Sequence, residues 1–130
     1  MSHETIAILD FGSWDRHWRH REKYMVSLYD IEKICRKIAA NFDVEKVILF
    51  GSYANGTATK DSDIDLLIVA DIDMPPVERY CAVRNVLDGF PAAFDLIVKT
   101  PDEYEKWRNI VNHIVYFAEK YGKTIYERHD

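Results

Sequence analysis

Two short apolar runs, residues 47–50 and 64–69, constrain the fold of this chain more than any other feature. The connection between them is barely long enough for a parallel crossover, which needs a dozen or more residues and usually a helix. The runs are therefore predicted to form neighbouring antiparallel strands. Because the second run is almost continuously apolar, we expect it to lie centrally in a sheet with both of its faces covered.

A third strand and three helices are predicted around these runs. Apolar residues at the helical spacing of three or four positions mark residues 22–42, about 75–88 and 100–121. The last segment is predicted as one helix, which opens at a capping box of Thr100 and Glu103 and ends at Gly122. Residues 94–98 form the third strand, and it should run parallel to the second run because a whole helix lies between them. The predicted fold class is α/β, a small mixed β-sheet of about three core strands flanked by helices.

The composition is that of a small globular protein. The chain has 130 residues and a net charge of -5, so broad nucleic-acid binding, which needs a basic face, is not expected. No apolar stretch approaches the ~18 residues that span a membrane. The first residues lack the basic region of a signal peptide, and we therefore predict a cytoplasmic protein.

Residues 22–130 are predicted to form a single domain, and residues 1–21 an arm whose structure the sequence leaves undefined. Four basic residues in and beside the arm are interpreted as a solvated surface, with a local basic strip as the alternative. They are Arg16, Arg19, Arg21 and Lys23. Cys35 and Cys81 fall on apolar stripes of predicted helices, so both are expected to be buried thiols.

The connection between the first two strands carries the residues that indicate chemistry. Asp63 and Asp65 are two positions apart, so on a strand their side chains share a face and lie ~6.5 Å apart. Asp95 stands near the start of the third strand, which predicts that it joins them at one end of the sheet. Like charges at such distances repel by roughly 2–3 kcal/mol per pair at an effective dielectric constant near 20. A cation would relieve this repulsion, and oxygen ligands alone favour Mg²⁺ or Mn²⁺.

The other end of the connection is suited to phosphate. Gly51 permits backbone angles closed to other residues and a close approach by a ligand. Ser52 offers a hydroxyl and a backbone N–H, and a helical turn over residues 52–58 would add a favourable dipole. Lys60 is a candidate phosphate contact, with a solvated loop lysine as the alternative. A second Asp-x-Asp, residues 71–73, precedes two prolines and is interpreted as a loop.

Gly51-Ser52, then Asp63-Ile64-Asp65 and a third acid at Asp95, resemble the nucleotidyltransferase superfamily of DNA polymerase β. The Gly-Ser-x-Ala-x-Gly form is similar to its minimal nucleotidyltransferase branch. The resemblance covers about residues 44–126 and implies an α/β fold with ATP or another NTP and a pair of Mg²⁺ ions as ligands. It implies that Asp63 and Asp65 bind both metals, and that Asp95 binds the metal that activates the acceptor or serves as general base. One departure is Asn55, where members of this branch often carry arginine.

The same resemblance suggests an acceptor. Small relatives pair with a helical HEPN-type partner and act as antitoxins that adenylylate a toxin tyrosine, so transfer of AMP to such a partner is the leading hypothesis. Two alternatives stay open, a non-catalytic nucleotide-binding antitoxin and nucleotidylation of a small hydroxylated compound such as an aminoglycoside. Ile110, Val115 and Phe117 lie off the main apolar stripe of the last helix and fit either a partner interface or the core. A homo-oligomer is also left open.

Overall fold

The computed structural model describes residues 26–129, and the predicted arm and the domain boundary at residue 22 lie outside them. The elements in chain order are α1 (Leu28–Asn41), β1 (Val44–Phe50), α2 (Ser52–Asn55), β2 (Ile64–Ala70), α3 (Pro76–Val86), β3 (Phe94–Lys99), α4 (Pro101–Trp107), α5 (Ile114–Tyr121) and β4 (Lys123–Glu127). Within this described stretch, no helix is both long enough and apolar enough to cross a membrane.

The strands form one mixed sheet in the order β3-β2-β1-β4. β1 and β2 are antiparallel, and β3 runs parallel to β2, as the connection lengths predict. β4 adds an antiparallel strand at the outer edge of β1 that the sequence did not predict. The described sheet therefore has four strands where about three core strands were expected, and the α/β class is confirmed.

The two faces of the sheet are covered by different helices. α1 and α3 cover one face, where they pack on Leu66 and Ile68. α4 and α5 cover the other face, where they pack on Leu67 and Val69. β2 is buried along almost its whole length, as predicted for a central strand. Because Asp65 is in step with Leu67 and Val69, its side chain lies on the face covered by α4 and α5.

α1 begins later than the predicted residue 22. Ser27 caps this helix, because its Oγ accepts a hydrogen bond of 3.1 Å from the N–H of Asp30. An N-cap residue has an extended backbone, which fixes the first helical residue as Leu28.

α3 turns a different face to the core than its periodicity predicted. Val83 is buried as expected, but Val77 and Tyr80 are exposed and Arg79 is buried in their stead. Arg79 Nη2 donates to the two carboxylate oxygens of Glu103, at 3.1 and 3.3 Å. This ion pair offsets part of the cost of burying the guanidinium, a compensation that apolar periodicity cannot reveal.

Because α3 turns a face other than the predicted one to the core, the two cysteines differ in exposure. Cys35 on α1 is buried, as predicted, and burial raises the pKa of its thiol to about 12. The prediction for Cys81 on α3 was wrong, because the residue is exposed.

The predicted helix over residues 100–121 is in fact two helices. The capping box is confirmed, since Glu103 N–H donates to Thr100 Oγ1 and Thr100 N–H donates to Glu103 Oε1. The break follows α4 at residues 108–113, where Asn112 has a φ of +77°. His113 then caps α5, because its Nδ1 accepts a hydrogen bond of 3.2 Å from the N–H of Val115. A left-handed residue cannot continue a right-handed helix, so the single-helix prediction was wrong.

Candidate active site

β1 ends in a sharp turn at Gly51, which has a φ of +75° that favours glycine. α2 follows at once, and Gly51 O accepts hydrogen bonds of 3.0 and 3.1 Å from the N–H groups of Ala54 and Asn55. The helical turn predicted over residues 52–58 is present but shorter. It ends at Gly56, whose φ of +83° is left-handed.

Gly51 packs directly against the carboxylate of Asp65. The two lie together because Phe50 pairs with Asp65 in the antiparallel ladder of β1 and β2. A Cβ built on Gly51 would stand 2.0 Å from Asp65 Oδ2, far inside van der Waals contact. Only glycine therefore allows this acid to lie against the turn. The predicted antiparallel pairing of β1 and β2 is what brings the two to the same end of the sheet.

Asp65 and Asp95 stand side by side. They are paired residues in the parallel register of β2 and β3, so the third acid faces Asp65 and not Asp63. The pKa of Asp65 is raised to about 6, first by burial, then by the charges of Asp95 and Asp63 and by a hydrogen bond with Asp95. Burial is the largest cause of this shift, and the repulsion between neighbouring carboxylates that the sequence predicted adds to it.

These acids offer only hard oxygen donors, which suit Mg²⁺ or Mn²⁺. The raised pKa of Asp65 marks a position where a cation would be favoured. Among residues 26–129, however, no three Asp, Glu, His or Cys side chains stand close enough to form a ready-made metal site. Asp63 is exposed just before β2, and its side chain would have to turn toward Asp65 and Asp95 to share an ion with them.

Side-chain hydrogen bonds shape the loop between the turn and the acids. Asn55 Oδ1 accepts from the N–H of Thr57 at 3.1 Å and from its hydroxyl at 2.5 Å. Ser62 Oγ accepts from the N–H of Thr59 at 2.8 Å. Asn55 therefore has a structural role where the sequence showed only a departure from the minimal branch. Lys60 lies exposed in this loop.

Tyr53 is a residue of the turn that sequence reasoning missed. Its hydroxyl accepts a hydrogen bond of 3.1 Å from the N–H of Val26, which lies two residues before the start of α1. No local pattern could have indicated this bond, because the two residues are 27 positions apart.

The second Asp-x-Asp is far from this site. Asp71 and Asp73 lie in the loop that follows β2, as predicted. The candidate site stands at the beginning of β2, so the length of the strand separates the two motifs.

The sheet order, the glycine turn and the paired acids define a nucleotidyltransferase fold. The crystal structure of a toxin–antitoxin with AMP-PNP aligns with a TM-score of 0.55 at 20% identity, over 75% of this chain and 73% of that one. The crystal structure of the toxin–antitoxin MntA–HepT aligns with a TM-score of 0.53 at 16% identity, over 78% of this chain and 74% of that one. At these identities the likeness shows the fold.

The family model described as "Nucleotidyltransferase domain" matches residues 28–123. The chain belongs to this family, as its motifs predicted, and the prediction of a nucleotidyltransferase enzyme is confirmed. "Putative protein adenylyltransferase MJ0604" of Methanocaldococcus jannaschii is 36% identical over 83 residues, which are 64% of this chain and 79% of the relative. "Protein adenylyltransferase MntA" of Thermococcus cleftensis is 26% identical over 97 residues, which are 71% of this chain and 97% of the relative.

Proposed function

We propose that this nucleotidyltransferase transfers AMP from ATP to a hydroxyl group on a partner protein of the HEPN toxin type. The observation that carries the proposal is the contact between the Gly51 turn and Asp65, with Asp95 beside it. A glycine turn that packs against one of two paired acids suits a phosphoryl centre better than any other chemistry on the described residues. A protein acceptor is supported by the names of the relatives, which are protein adenylyltransferases. A toxin as partner is supported by the toxin–antitoxin structures with the same fold.

In this mechanism the turn positions the donor. Gly51 lets the β- and γ-phosphates approach the backbone, and Ser52 donates hydrogen bonds to them from its hydroxyl and N–H. Lys60 approaches the same phosphates from the loop. These contacts align the α-phosphate with the acceptor oxygen, so that the P–O bond to the acceptor forms as the bond to pyrophosphate breaks.

In the same mechanism the acids bind the metal ions and accept the proton of the acceptor hydroxyl. Asp63 and Asp65 would hold divalent ions, and Asp95 would share one of them. Bound Mg²⁺ would neutralise the phosphates and make the acceptor hydroxyl more acidic. Asp95 then takes the proton of that hydroxyl as general base. Because the reaction consumes ATP, we also propose that the protein works in the cytoplasm.

The face of the sheet that carries Asp65 also offers a surface for the partner. Val115 of α5 is buried in the core, which resolves one of the alternatives left by the sequence. Five large apolar side chains of the segment from residue 110 to 121 are exposed. They are Ile110, Val111, Ile114, Phe117 and Tyr121. We propose that the toxin packs on this surface, the α5 patch, and thereby brings its acceptor to the acids.

Incubation with ATP labelled at the α-phosphate, Mg²⁺ and the protein encoded by the neighbouring gene tests this function. We expect label on the partner, and its loss in Asp63→Asn and Asp95→Asn. The matched control is Asp71→Asn with Asp73→Asn, because it removes the same charges from the Asp-x-Asp in the loop after β2. Neutralisation of the partner that survives both site variants would favour a contact antitoxin. A parallel reaction contains an aminoglycoside in place of the partner protein, and label on the aminoglycoside with none on the partner would favour the small-molecule alternative.

A further inference from the structure

A pocket of about 600 Å³ lies at the opposite end of the sheet from the candidate active site. Asp71 and Asp73 line it from the loop after β2. Arg79 of α3 and Asp102 at the start of α4 also line it. β2 extends for five residues beyond Asp65, so about 17 Å of strand separates the pocket from the acids. The pocket is therefore a separate place from the one proposed for nucleotidyl transfer.

Arg79 is the buried polar residue of this pocket, with only 4% of its surface exposed. Its Nη2 donates to Glu103, whose carboxylate also accepts a hydrogen bond from the N–H of Thr100. Its Nε is buried and has no hydrogen-bond partner among the described residues. Because a buried N–H without an acceptor destabilises a protein, an oxygen atom of a ligand beside this guanidinium would be favoured.

Three carboxylates give the pocket a negative charge. Asp71, Asp73 and Asp102 are exposed, and within residues 26–129 none of them forms an ion pair with lysine or arginine. The pocket should therefore attract a cation. A compact metal ion does not suit it, because no three of the described Asp, Glu, His or Cys side chains stand close enough to hold one. A longer organic cation can instead reach carboxylates that are set apart.

Apolar surface beside the carboxylates suits the stem of such a cation. Met74 and Pro101 also line the pocket, and Met74 is 41% exposed. The methylene groups of a lysine or arginine side chain pack on apolar surface of this kind while the charged end stays with polar groups. The pocket therefore combines a guanidinium that lacks an acceptor, unpaired carboxylates and apolar contacts.

We propose that this pocket binds a basic amino acid, arginine or lysine, either free or as a residue of a peptide. The cationic side chain lies against Asp73 and Asp102, and a carboxylate or carbonyl oxygen of the ligand accepts a hydrogen bond from Arg79. A polyamine would leave Arg79 without an acceptor, and a ligand with negative charge alone would be repelled by the carboxylates. The proposal goes beyond the proposed function and is independent of it, because it requires neither a nucleotide nor a transfer reaction.

NMR titration of the isotope-labelled protein tests this proposal, because it detects weak binding residue by residue. The probes are L-arginine, N-acetyl-L-arginine amide and agmatine, which is arginine without its carboxylate. We expect saturable shifts of the backbone amides of Asp73 and Asp102 with at least one of the first two probes. Agmatine should bind at least about threefold more weakly, because it has no oxygen for Arg79. Saturation by L-arginine alone would identify the free amino acid, and binding of the blocked amide would identify a residue of a peptide.

The Nε–H signal of Arg79 reports the proposed hydrogen bond directly. It should move downfield on addition of the arginine probe that binds, and should not move with agmatine. Arg79→Lys should lower the affinity for that probe to the level of agmatine and leave the affinity for agmatine nearly unchanged. If this variant does not fold, the Nε–H signal of the wild type decides the question alone, and an unmoved signal at saturation would overturn the proposal.

A pair of charge variants tests the carboxylates. Asp73→Asn with Asp102→Asn should weaken binding of the arginine probe at least about fivefold, because two of the three carboxylates lose their charge. The matched control is Asp88→Asn with Glu105→Gln, which removes the same charge from exposed acids outside the pocket. It should bind the probe within about twofold of the wild type.

No saturation with either arginine probe would overturn the proposal, and so would equal affinity for agmatine or equal weakening by the control. Shifts that sodium chloride reproduces at the same concentration would also overturn it, because they would report ionic strength and no bound amino acid.

Discussion

At the scale of single residues, a comparison of two glycines with left-handed backbones can distinguish the effect of the turn on activity from its effect on stability. Gly51 and Gly56 have φ values of +75° and +83°, so alanine at either position should cost about 1–2 kcal/mol of folding free energy. Only at Gly51 would the new methyl group collide with Asp65. We expect Gly51→Ala to abolish nucleotidyl transfer and Gly56→Ala to retain most of it.

This comparison is made by measuring thermal unfolding and transfer rate on the same preparations. Similar losses of stability with very different rates would support the contact with Asp65. Equal rates in the two variants would contradict the role assigned to Gly51.

The charge of Asp65 should lower the free energy of unfolding of the protein. Its carboxylate is partly buried beside Asp95, and these surroundings raise its pKa to about 6. Asp65→Asn removes the buried charge while nearly keeping the shape of the side chain. We expect the variant to have a higher Tm than the wild type at pH 8 in the presence of a chelator, and to lose transfer activity. A lower Tm would mean that the acid contributes hydrogen bonds that outweigh its repulsion.

At the scale of elements, the sequence predicted those parts of the fold in which local patterns and packing agree. β1, β2 and β3 and their directions follow from apolar runs and connection lengths, and these also brought Gly51 and Asp65 together. The break between α4 and α5 did not follow, because the apolar spacing continues across it. The signals were weak ones, β-branched Ile110 and Val111 followed by Asn112, a residue that tolerates a left-handed backbone.

β4 was missed for a related reason. It is short and only its central positions are half-buried, so it carries no strong pattern of its own. Its strand conformation comes from pairing with the edge of β1, which is a tertiary effect. The hydrogen bond from Val26 to Tyr53 and the ion pair of the buried Arg79 with Glu103 likewise join residues that are distant in the sequence. Sequence patterns therefore predicted the acids and the turn, and the structure showed the long-range contacts that surround them.

An ion-pair network ties α4 to α5 across the break. Arg108 Nε donates to Glu119 Oε2 at 3.2 Å, and the hydroxyl of Tyr104 donates to Glu119 Oε1. Partial burial alone would raise the pKa of Glu119, but the hydrogen bonds from Arg108 and Tyr104 outweigh it and hold the pKa below its ordinary value of 4.5. Glu119 is therefore a carboxylate whose charge stabilises the folded state.

The pH dependence follows from this sign. A lowered pKa contributes stability that is present above the unfolded value and is lost as the pH falls below about 4.5. Glu119→Gln should lower stability by about 1–3 kcal/mol at pH 7 and should flatten the decline of Tm between pH 5 and pH 3. The control is Glu105→Gln, because Glu105 pairs with the same arginine but is largely exposed. An unchanged Tm profile in Glu119→Gln would contradict the role of the network.

At the scale of the whole molecule, the sheet separates two helix-covered faces, and the proposed partner surface lies on one of them. α4 and α5 cover the face that carries Asp65, and their outer side presents the α5 patch. Phe117→Asp places a charge in this patch at a side chain that is 42% exposed, so the fold should tolerate it. We expect at least tenfold weaker binding of the toxin partner, because a buried unpaired charge is costly in an interface.

Leu28→Asp is the matched control for this prediction. Leu28 is 54% exposed on α1, which covers the opposite face of the sheet. Surface plasmon resonance with the immobilised partner measures both variants. Equal weakening by the two substitutions, or none by Phe117→Asp, would show that the partner docks elsewhere.

The face that α3 turns to solvent offers a site for labelling the protein with a dye. The sequence contains two cysteines, of which Cys35 is buried with a raised thiol pKa and Cys81 is exposed. A maleimide dye should therefore attach to one position of the native chain without any engineered residue. That position lies on α3, in the helix layer on the other face of the sheet from Asp65. The fluorophore can therefore report binding of the proposed partner protein through anisotropy.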